Sequence, residues 1–268
     1  MGTRDKILIT GGKGTVGKFL STRLPYDILN PGRDELDLFD PQQVSNYLDQ
    51  HSVDIVIHCA LTGRNNLFSL DPVYTTDSLS MFRNLWNNKH KFKKLINLGT
   101  AYEFDLTKDN WLVNEYEIIN HLPNTSYGYA KNIISRIIKD TNNFYNLRLF
   151  GVFHEEEADT RFFKKLFLNK SIEISNDIYM DYIYLGDIIP VINSIVEGKI
   201  SMQDINMVYP EKYKMSQLAK LFCQTHNLDC SKIKIAGSNG LNLVGNPRRL
   251  GAYNLPLIKF NGFKLYKI

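Results

Sequence analysis

The stretch Lys6-Ile-Leu-Ile-Thr-Gly-Gly-Lys-Gly-Thr-Val-Gly17 constrains this chain more than any other. An apolar run, Ile7 to Ile9, stops at Thr10, and glycines follow at positions 11, 14 and 17. A helical pattern begins at once, with Val16, Phe19, Leu20 and Leu24 on one face. A buried parallel strand, a glycine turn and a helix pointing its N-terminus back at the turn make an anion site. Free backbone N–H groups and the positive end of the helix dipole meet there, and a pyrophosphate is the usual guest. The glycines permit the tight turn, the close approach of the pyrophosphate and close packing of helix on strand. Gly11, Gly14, Thr15, Val16 and Gly17 are therefore dinucleotide-binding candidates. A structural glycine turn of another α/β fold is the competing reading, and the place of the triplet between strand and helix argues against it.

With 268 residues the chain is long enough for one large domain, or for a nucleotide-binding domain with a smaller annex. The net charge of +4 comes from scattered Lys and Arg. That suits a phosphorylated small molecule and not nucleic acid, which calls for a clustered basic stripe. Cys59, Cys223 and Cys230 have no metal-ligand spacing, so no metal is expected and a reducing compartment is. No apolar run approaches membrane-spanning length, and the first strand starts too early to leave room for a signal peptide. The expectation is a cytoplasmic protein without a membrane partner.

After the first helix, Tyr26 to Asn30 reads as the second strand. In a fold of this kind its end faces the adenosine ribose, where an acid selects NAD and a basic residue accommodates NADP. The strand ends in Asn30, and Arg33 follows three residues later. This pattern favours NADP(H) over NAD(H), because a guanidinium fork suits a 2′-phosphate. Asp40-Pro41 is a helix start, and Val53 to Ala60 is a short buried strand whose His58 reads as a core histidine rather than a ligand.

A helix over residues 74–89 precedes the strand Lys94 to Leu98, which runs into Gly99-Thr-Ala-Tyr-Glu-Phe104. Residues at the carboxyl ends of parallel strands face the ligand crevice, which places Thr100 for chemistry; a turn cap is the alternative use of a threonine. Residues 105–124 are polar and irregular. Tyr127-Gly-Tyr-Ala-Lys131 opens the next helix, and the four-residue spacing puts Tyr127 and Lys131 on one face. Such a pair arises by chance about once in a chain this rich in Tyr and Lys; its place one βα unit after Thr100 raises its weight. Phe144 to Phe150 is the next strand. Glu155, Glu156, Glu157 and Asp159 read as a solvated loop. Strand-like Met180 to Asp187 and helices over 188–196 and 216–225 follow. The expected architecture is α/β, a Rossmann doubly wound parallel sheet over residues 1–153 with 181–199 returning to it. A smaller, discontinuous α/β domain, 154–180 and 200–268, would bind substrate across its crevice.

Thr10 to Gly17, Thr100, Tyr127-x-x-x-Lys131 and Asp181-Tyr-Ile-Tyr-Leu-Gly-Asp187 together resemble the extended short-chain dehydrogenase/reductases that act on nucleotide sugars, the NAD-dependent epimerase/dehydratase family. The resemblance runs from the N-terminus to about residue 196. Arg33-Asp-Glu-Leu-Asp-Leu38 is similar to the corresponding segment of GDP-fucose synthases and dTDP-4-dehydrorhamnose reductases; in the synthases an arginine here grips the NADP 2′-phosphate. The resemblance implies a cofactor set of Gly11, Gly14, Thr15, Val16, Gly17, Asn30, Arg33, Asp37, Leu38, Ala60, Lys131 and Phe150. It implies Tyr127 as proton donor, with Lys131 holding the ribose and depressing the tyrosine pKa, and Thr100 bonding the carbonyl oxygen.

Two departures narrow the expected reaction. GDP-fucose synthases epimerise C3 and C5 before reducing C4, with a cysteine two residues after the catalytic hydroxyl residue and a histidine in the second domain. Here the first position is Tyr102, as in the rhamnose-pathway reductases, and Thr160 to Lys164 holds no histidine, although His154 lies nearby. Met180 stands where many relatives carry an arginine that touches the substrate phosphates. Arg161, Arg248 and Arg249 are the candidates to replace it, and Tyr102 is a further substrate candidate. Reduction of a 4-keto nucleotide sugar by a homodimer, for a surface-polysaccharide precursor, is the leading expectation. A bifunctional epimerase/reductase, a C4 epimerase or a dehydrogenase is the first alternative, and a non-catalytic dinucleotide-binding regulator the second. Pairing in such relatives runs through the helix of residues 74–89 and the one opening at Tyr127, and Ile133, Ile134, Ile137 and Ile138 cover more than one face of the latter.

Overall fold

A computed structural model describes residues 5–62 and 68–267. In chain order its strands are β1 (Lys6–Thr10), β2 (Asp27–Leu29), β3 (Ile55–His58), β4 (Lys94–Thr100), β5 (Asn110–Val113), β6 (Phe144–Leu149), β7 (Gly151–Phe153), β8 (Ile172–Ile174), β9 (Tyr182–Tyr184), β10 (Asp204–Met207), β11 (Ile233–Ile235) and β12 (Leu243–Gly245). The helices are α1 (Thr15–Ser21), α2 (Pro41–His51), α3 (Pro72–Asn87), α4 (Ser126–Lys139), α5 (Phe162–Phe167), α6 (Ile188–Val196), α7 (Met215–His226) and α8 (Arg248–Gly251). The chain divides into two compact units: Met1–Asp105, Tyr116–Arg148 and Ile192–Ile205 make the first, and Leu106–Glu115, Leu149–Val191 and Asn206–Ile268 the second.

The first unit is built on a six-stranded parallel sheet of order β10-β6-β4-β3-β1-β2. From β1 the chain goes out to β2 at one edge, then returns past β1 to β3. The strand order therefore reverses between β1 and β3, and ligands of such sheets bind in the crevice beyond the carboxyl ends there. Ile7, Leu8 and Ile9 are fully buried, as the unbroken apolar run of a strand covered on both faces requires. Helices α2, α3 and α4 begin at side-chain caps: Asp40 accepts from Gln42 N and Gln43 N, Asp71 from Val73 N, and Thr125 Oγ1 from Gly128 N. Helix α1 has no such cap, since Gly14 stands at that position, so the glycine turn is left to meet a ligand with its own N–H groups.

The second unit has an aromatic core around Phe153, Phe163, Phe222 and Phe263. It carries three two-stranded pairs, β7 with β9, β8 with β11 and β5 with β12, each parallel. The segment expected to be irregular, 105–124, thus supplies a strand, because its partner β12 lies far along the chain where no local pattern reveals it. The acidic run is not wholly solvated either. Glu157 is buried, accepting from Tyr266 Oη at 2.6 Å and from Lys164 N at 3.0 Å near the start of α5. In the Asp181 to Asp187 segment both carboxylates serve the unit's architecture. Asp187 takes the Tyr209 hydroxyl at 2.5 Å and the N–H groups of Ile258 and Lys259. Asp181 takes Lys212 Nζ on both oxygens, at 2.9 and 2.8 Å, and the N–H of Gly245.

Candidate active site

The turn after β1 sits hard against the end of β3. Gly11 has φ +68, and a Cβ there would lie 2.6 Å from the Ala60 Cα, so only glycine fits. A Cβ on Gly17 would lie 2.5 Å from the Gly11 carbonyl oxygen, which is how α1 packs so closely on the turn. Gly11 and Gly14 of the turn line a cavity of about 250 Å³, together with Arg33, Asp37 and Leu38 beyond β2 and Ala60 beyond β3. Thr15, Val16 and Gly17 form the first turn of α1 beside it. Asn30 lies beneath the turn, its Nδ2 donating to Gly12 O at 3.4 Å and its buried Oδ1 left without a donor.

Two cations face this cavity. The Arg33 side chain is 74% exposed, lies over the Phe39 ring at 5.2 Å and is held loosely by Asp37 at 3.5 Å. Lys13, which the sequence reading passed over, lines the same cavity. Its Cε is 4.0 Å from where a Cβ on Gly32 would stand, next to Arg33. The sign that could have found Lys13 is its place inside the glycine turn, one residue before Gly14. Among the cavity's lining residues the acid is Asp37, already paired with Arg33, while Asp34 and Glu35 lie close to Gly32. A small-side-chain cradle, an uncapped helix start and two cations fit a dinucleotide carrying an extra phosphate.

The second cluster lies at the carboxyl end of β4 and the start of α4. Thr100 and Tyr127 are neighbours, and the threonine hydroxyl acts on the phenol. Thr100 also caps the short turn Ala101–Glu103, its Oγ1 accepting from Tyr102 N at 3.3 Å. The cap considered for this threonine is thus present. The Tyr102 ring stands edge-on to that of Tyr127 with centroids 6.0 Å apart. Lys131 is buried, and its Nζ donates to Leu98 O at 3.0 Å. Burial raises the Tyr127 pKa above its ordinary value, with Thr100 opposing and Glu103 and Tyr102 adding to the rise. Lys131 is not among the groups acting on it, so the lowering expected from that lysine does not appear. Burial likewise lowers the Lys131 pKa, against Glu103 and Cys59, which raise it. At the end of β3, burial first and Lys131 second push His58 down to about 3, so it is neutral; Thr10 Oγ1 lies 2.8 Å from its Nδ1. Burial pushes the Cys59 thiol up to about 12. Among the described residues no group of three metal-ligating side chains is assembled.

The remaining candidates belong to the second unit. Phe150 is buried, with its ring against Gly245. Arg161 donates to Val152 O at 3.1 Å and lies 3.8 Å from Glu157. Arg248 is exposed at the start of α8, and Arg249 pairs with the buried Glu115 at 3.5 Å. The structure thus brings Thr100, Tyr102, Tyr127 and Lys131 together in one unit with the glycine cradle, and holds the three arginines in the other.

The NAD dependent epimerase/dehydratase family matches residues 7–206. A GDP-L-colitose synthase from Yersinia pseudotuberculosis is 30% identical over 132 residues, 47% of this chain; the match spans only 43% of that protein. Among solved structures, the dTDP-4-dehydrorhamnose reductase of Bacillus anthracis str. Ames in complex with NADP superposes with a TM-score of 0.83 at 18% identity, covering 99% of this chain and 98% of that one. The GDP-mannoheptose C4 reductase of Campylobacter jejuni with NADP bound gives 0.81 at 18% identity over the same shares. These two share the fold.

Proposed function

We propose that this chain, which belongs to the NAD dependent epimerase/dehydratase family, is an NADPH-dependent reductase of the 4-keto group of a nucleotide-activated sugar. The observation that carries the reading is the cluster of Thr100, Tyr127 and Lys131 in the unit that also holds the glycine cradle. Lys13 and Arg33 support NADP(H) over NAD(H) as the dinucleotide. When bound, the cofactor supplies a hydride to the carbonyl carbon. Tyr127 gives its proton to the carbonyl oxygen, and a pKa raised by burial keeps that proton in place until charge develops. Thr100 donates a hydrogen bond to the same oxygen, a contribution commonly of a few kcal/mol. Lys131, a buried ammonium held by Leu98 O, holds the ribose hydroxyls and offsets the tyrosinate left behind.

Tyr102 beside Tyr127 offers no thiol for proton abstraction at C3 or C5, which supports reduction without epimerisation. The nucleotide-sugar relatives support a role in making surface-polysaccharide precursors, with deoxy- or heptose-type sugars as substrates. A homodimer fits an apolar groove between α3 and α4, lined by Leu79, Phe82, Trp86, Ile133 and Ile137. NADPH oxidation against GDP-, dTDP-, CDP- and UDP-linked 4-keto sugars tests the activity, with NMR of the product. Tyr127→Phe is expected to abolish turnover and leave NADPH binding intact; undiminished turnover in that variant sinks the reading. Deuterium at C3 or C5 of product formed in D₂O would show epimerisation instead.

A further inference from the structure

The turn after β4 carries a side chain that no step of the reduction uses. Glu103 is fully buried, and so is Arg148 on β6. Glu103 Oε1 accepts from Thr100 N at 2.9 Å, and Oε2 from Arg148 Nε at 2.7 Å and Asn146 Nδ2 at 3.2 Å. Its main-chain carbonyl accepts from Asn132 Nδ2 at 2.8 Å, and Asn132 follows Lys131 directly on α4. Arg148 reaches on to Asp204 at 3.0 Å on β10 and to Ser135 at 2.8 Å on α4. Three N–H donors converge on the Glu103 carboxyl, which therefore stands as a carboxylate although burial raises its pKa. A buried ion pair is poor evidence of stability, since apolar residues of the same volume often serve as well. The position calls for another reason.

We propose that Glu103 is a positioning residue for the reduction: it locks the Thr100 backbone through the reciprocal cap of the turn, so that the Thr100 hydroxyl is held toward Tyr127. The inference rests on the reductase reading of Tyr127. Facing Tyr127 are Thr100, Tyr102 and Glu103 from the turn, and Lys131 follows one turn later on its own helix. Facing Lys131 are Glu103 and, from the end of β3, Cys59 and His58. Facing Glu103 are Arg148 and Asp204. Glu103 is an anion acting on both catalytic groups. Its charge opposes loss of the tyrosine proton, so neutralising it lets that proton leave at lower pH. Reduction needs the proton, so the alkaline limb of kcat moves toward neutrality.

Two variants separate the charge from the cap. Glu103→Gln removes the charge and turns an NH₂ group toward either Thr100 N–H or Arg148. Glu103→Asp keeps the charge but is too short to span both partners. For Glu103→Gln, kcat is expected to fall about ten- to a hundredfold, with KM for NADPH within about twofold. Its alkaline limb should move down by about half a pH unit or more. For Glu103→Asp the fall in kcat remains and the limb stays with wild type. A limb in Glu103→Gln that coincides with wild type, or a kcat within about twofold of it, overturns the proposal. If Glu103→Gln does not fold, an undiminished kcat in Glu103→Asp does the same. A wild-type protein that reduces no 4-keto sugar sinks the reductase reading instead. Hydrogen–deuterium exchange then still decides on Glu103: faster exchange across residues 95–104 in Glu103→Gln, with β1 and β3 unchanged, supports the lock, and unchanged exchange overturns it.

Discussion

Tyr127 and Lys131 were readable as a pair because a four-residue spacing on a helix can mean only one face, whatever the rest of the fold does. Thr100 was readable for a similar reason, as the last residue of a parallel strand. The states of these groups were not readable. The rise in the Tyr127 pKa comes from burial against the turn that bears Thr100 and Tyr102, a surrounding that no spacing describes. Lys13 shows the same limit, since its reach to the Gly32 region depends on how the glycine turn meets the end of β2. Arg33→Ala and Lys13→Ala are each expected to raise KM for NADPH about tenfold or more, from the loss of a charge-assisted contact to phosphate, and to leave KM for NADH nearly unchanged. Steady-state kinetics with both cofactors checks this; an equal effect on both would remove the 2′-phosphate role. Gly11→Ala places a methyl 2.6 Å from the Ala60 backbone at positive φ. It is expected to cost about 3 kcal/mol, read as a lower urea midpoint with the slope unchanged.

At the scale of elements, the long helices and the buried strands β1, β3 and β4 followed from periodicity and apolar runs. The expected helix over 74–89 is observed as Pro72–Asn87, started by its Asp71 cap. What escaped were contacts between segments far apart in sequence: β5 with β12, and the carboxylates of the second unit. Charges on a sequence read as solvated surface, because exposure is their usual fate. Glu157, read as part of a solvated loop, is instead buried with tyrosine and main-chain partners, and Asp181 and Asp187 of the strand-like segment are buried with lysine and tyrosine partners. Burial pushes Asp181 up to about 6 from 3.8, against the pull of Lys212 and the Gly245 N–H. A carboxyl whose folded pKa is raised binds its proton more tightly folded than unfolded. Its contribution to stability is full below pH 3.8 and is lost as pH rises through about 6. Asp181→Asn should therefore gain stability relative to wild type as pH rises across that window, measured by thermal melts at matched salt. A difference that stays flat, or runs the other way, contradicts the assignment.

At the scale of the whole molecule, an apolar groove on the first unit bears on assembly. Ile134 and Ile138 of α4 are buried in the unit's core, while Ile133 and Ile137 are half-buried in the groove with Leu79 and Trp86. Ile133→Glu is expected to convert a dimer to a monomer in sedimentation without unfolding it. A wild-type chain that sediments as a monomer at micromolar concentration would rule out the homodimer. The sequence by itself determined the parallel sheet, the dinucleotide turn and the identity of the residues proposed for catalysis. These features are local: an apolar run, a glycine triplet and a helical spacing each carry their meaning within a few residues. Tertiary structure alone decided that Glu103 is buried between Thr100 and Arg148, that Lys13 joins Arg33, and that the acids of the second unit are internal. Burial and charge pairing depend on what the fold brings from elsewhere in the chain, and desolvation acts on that neighbourhood rather than on sequence order.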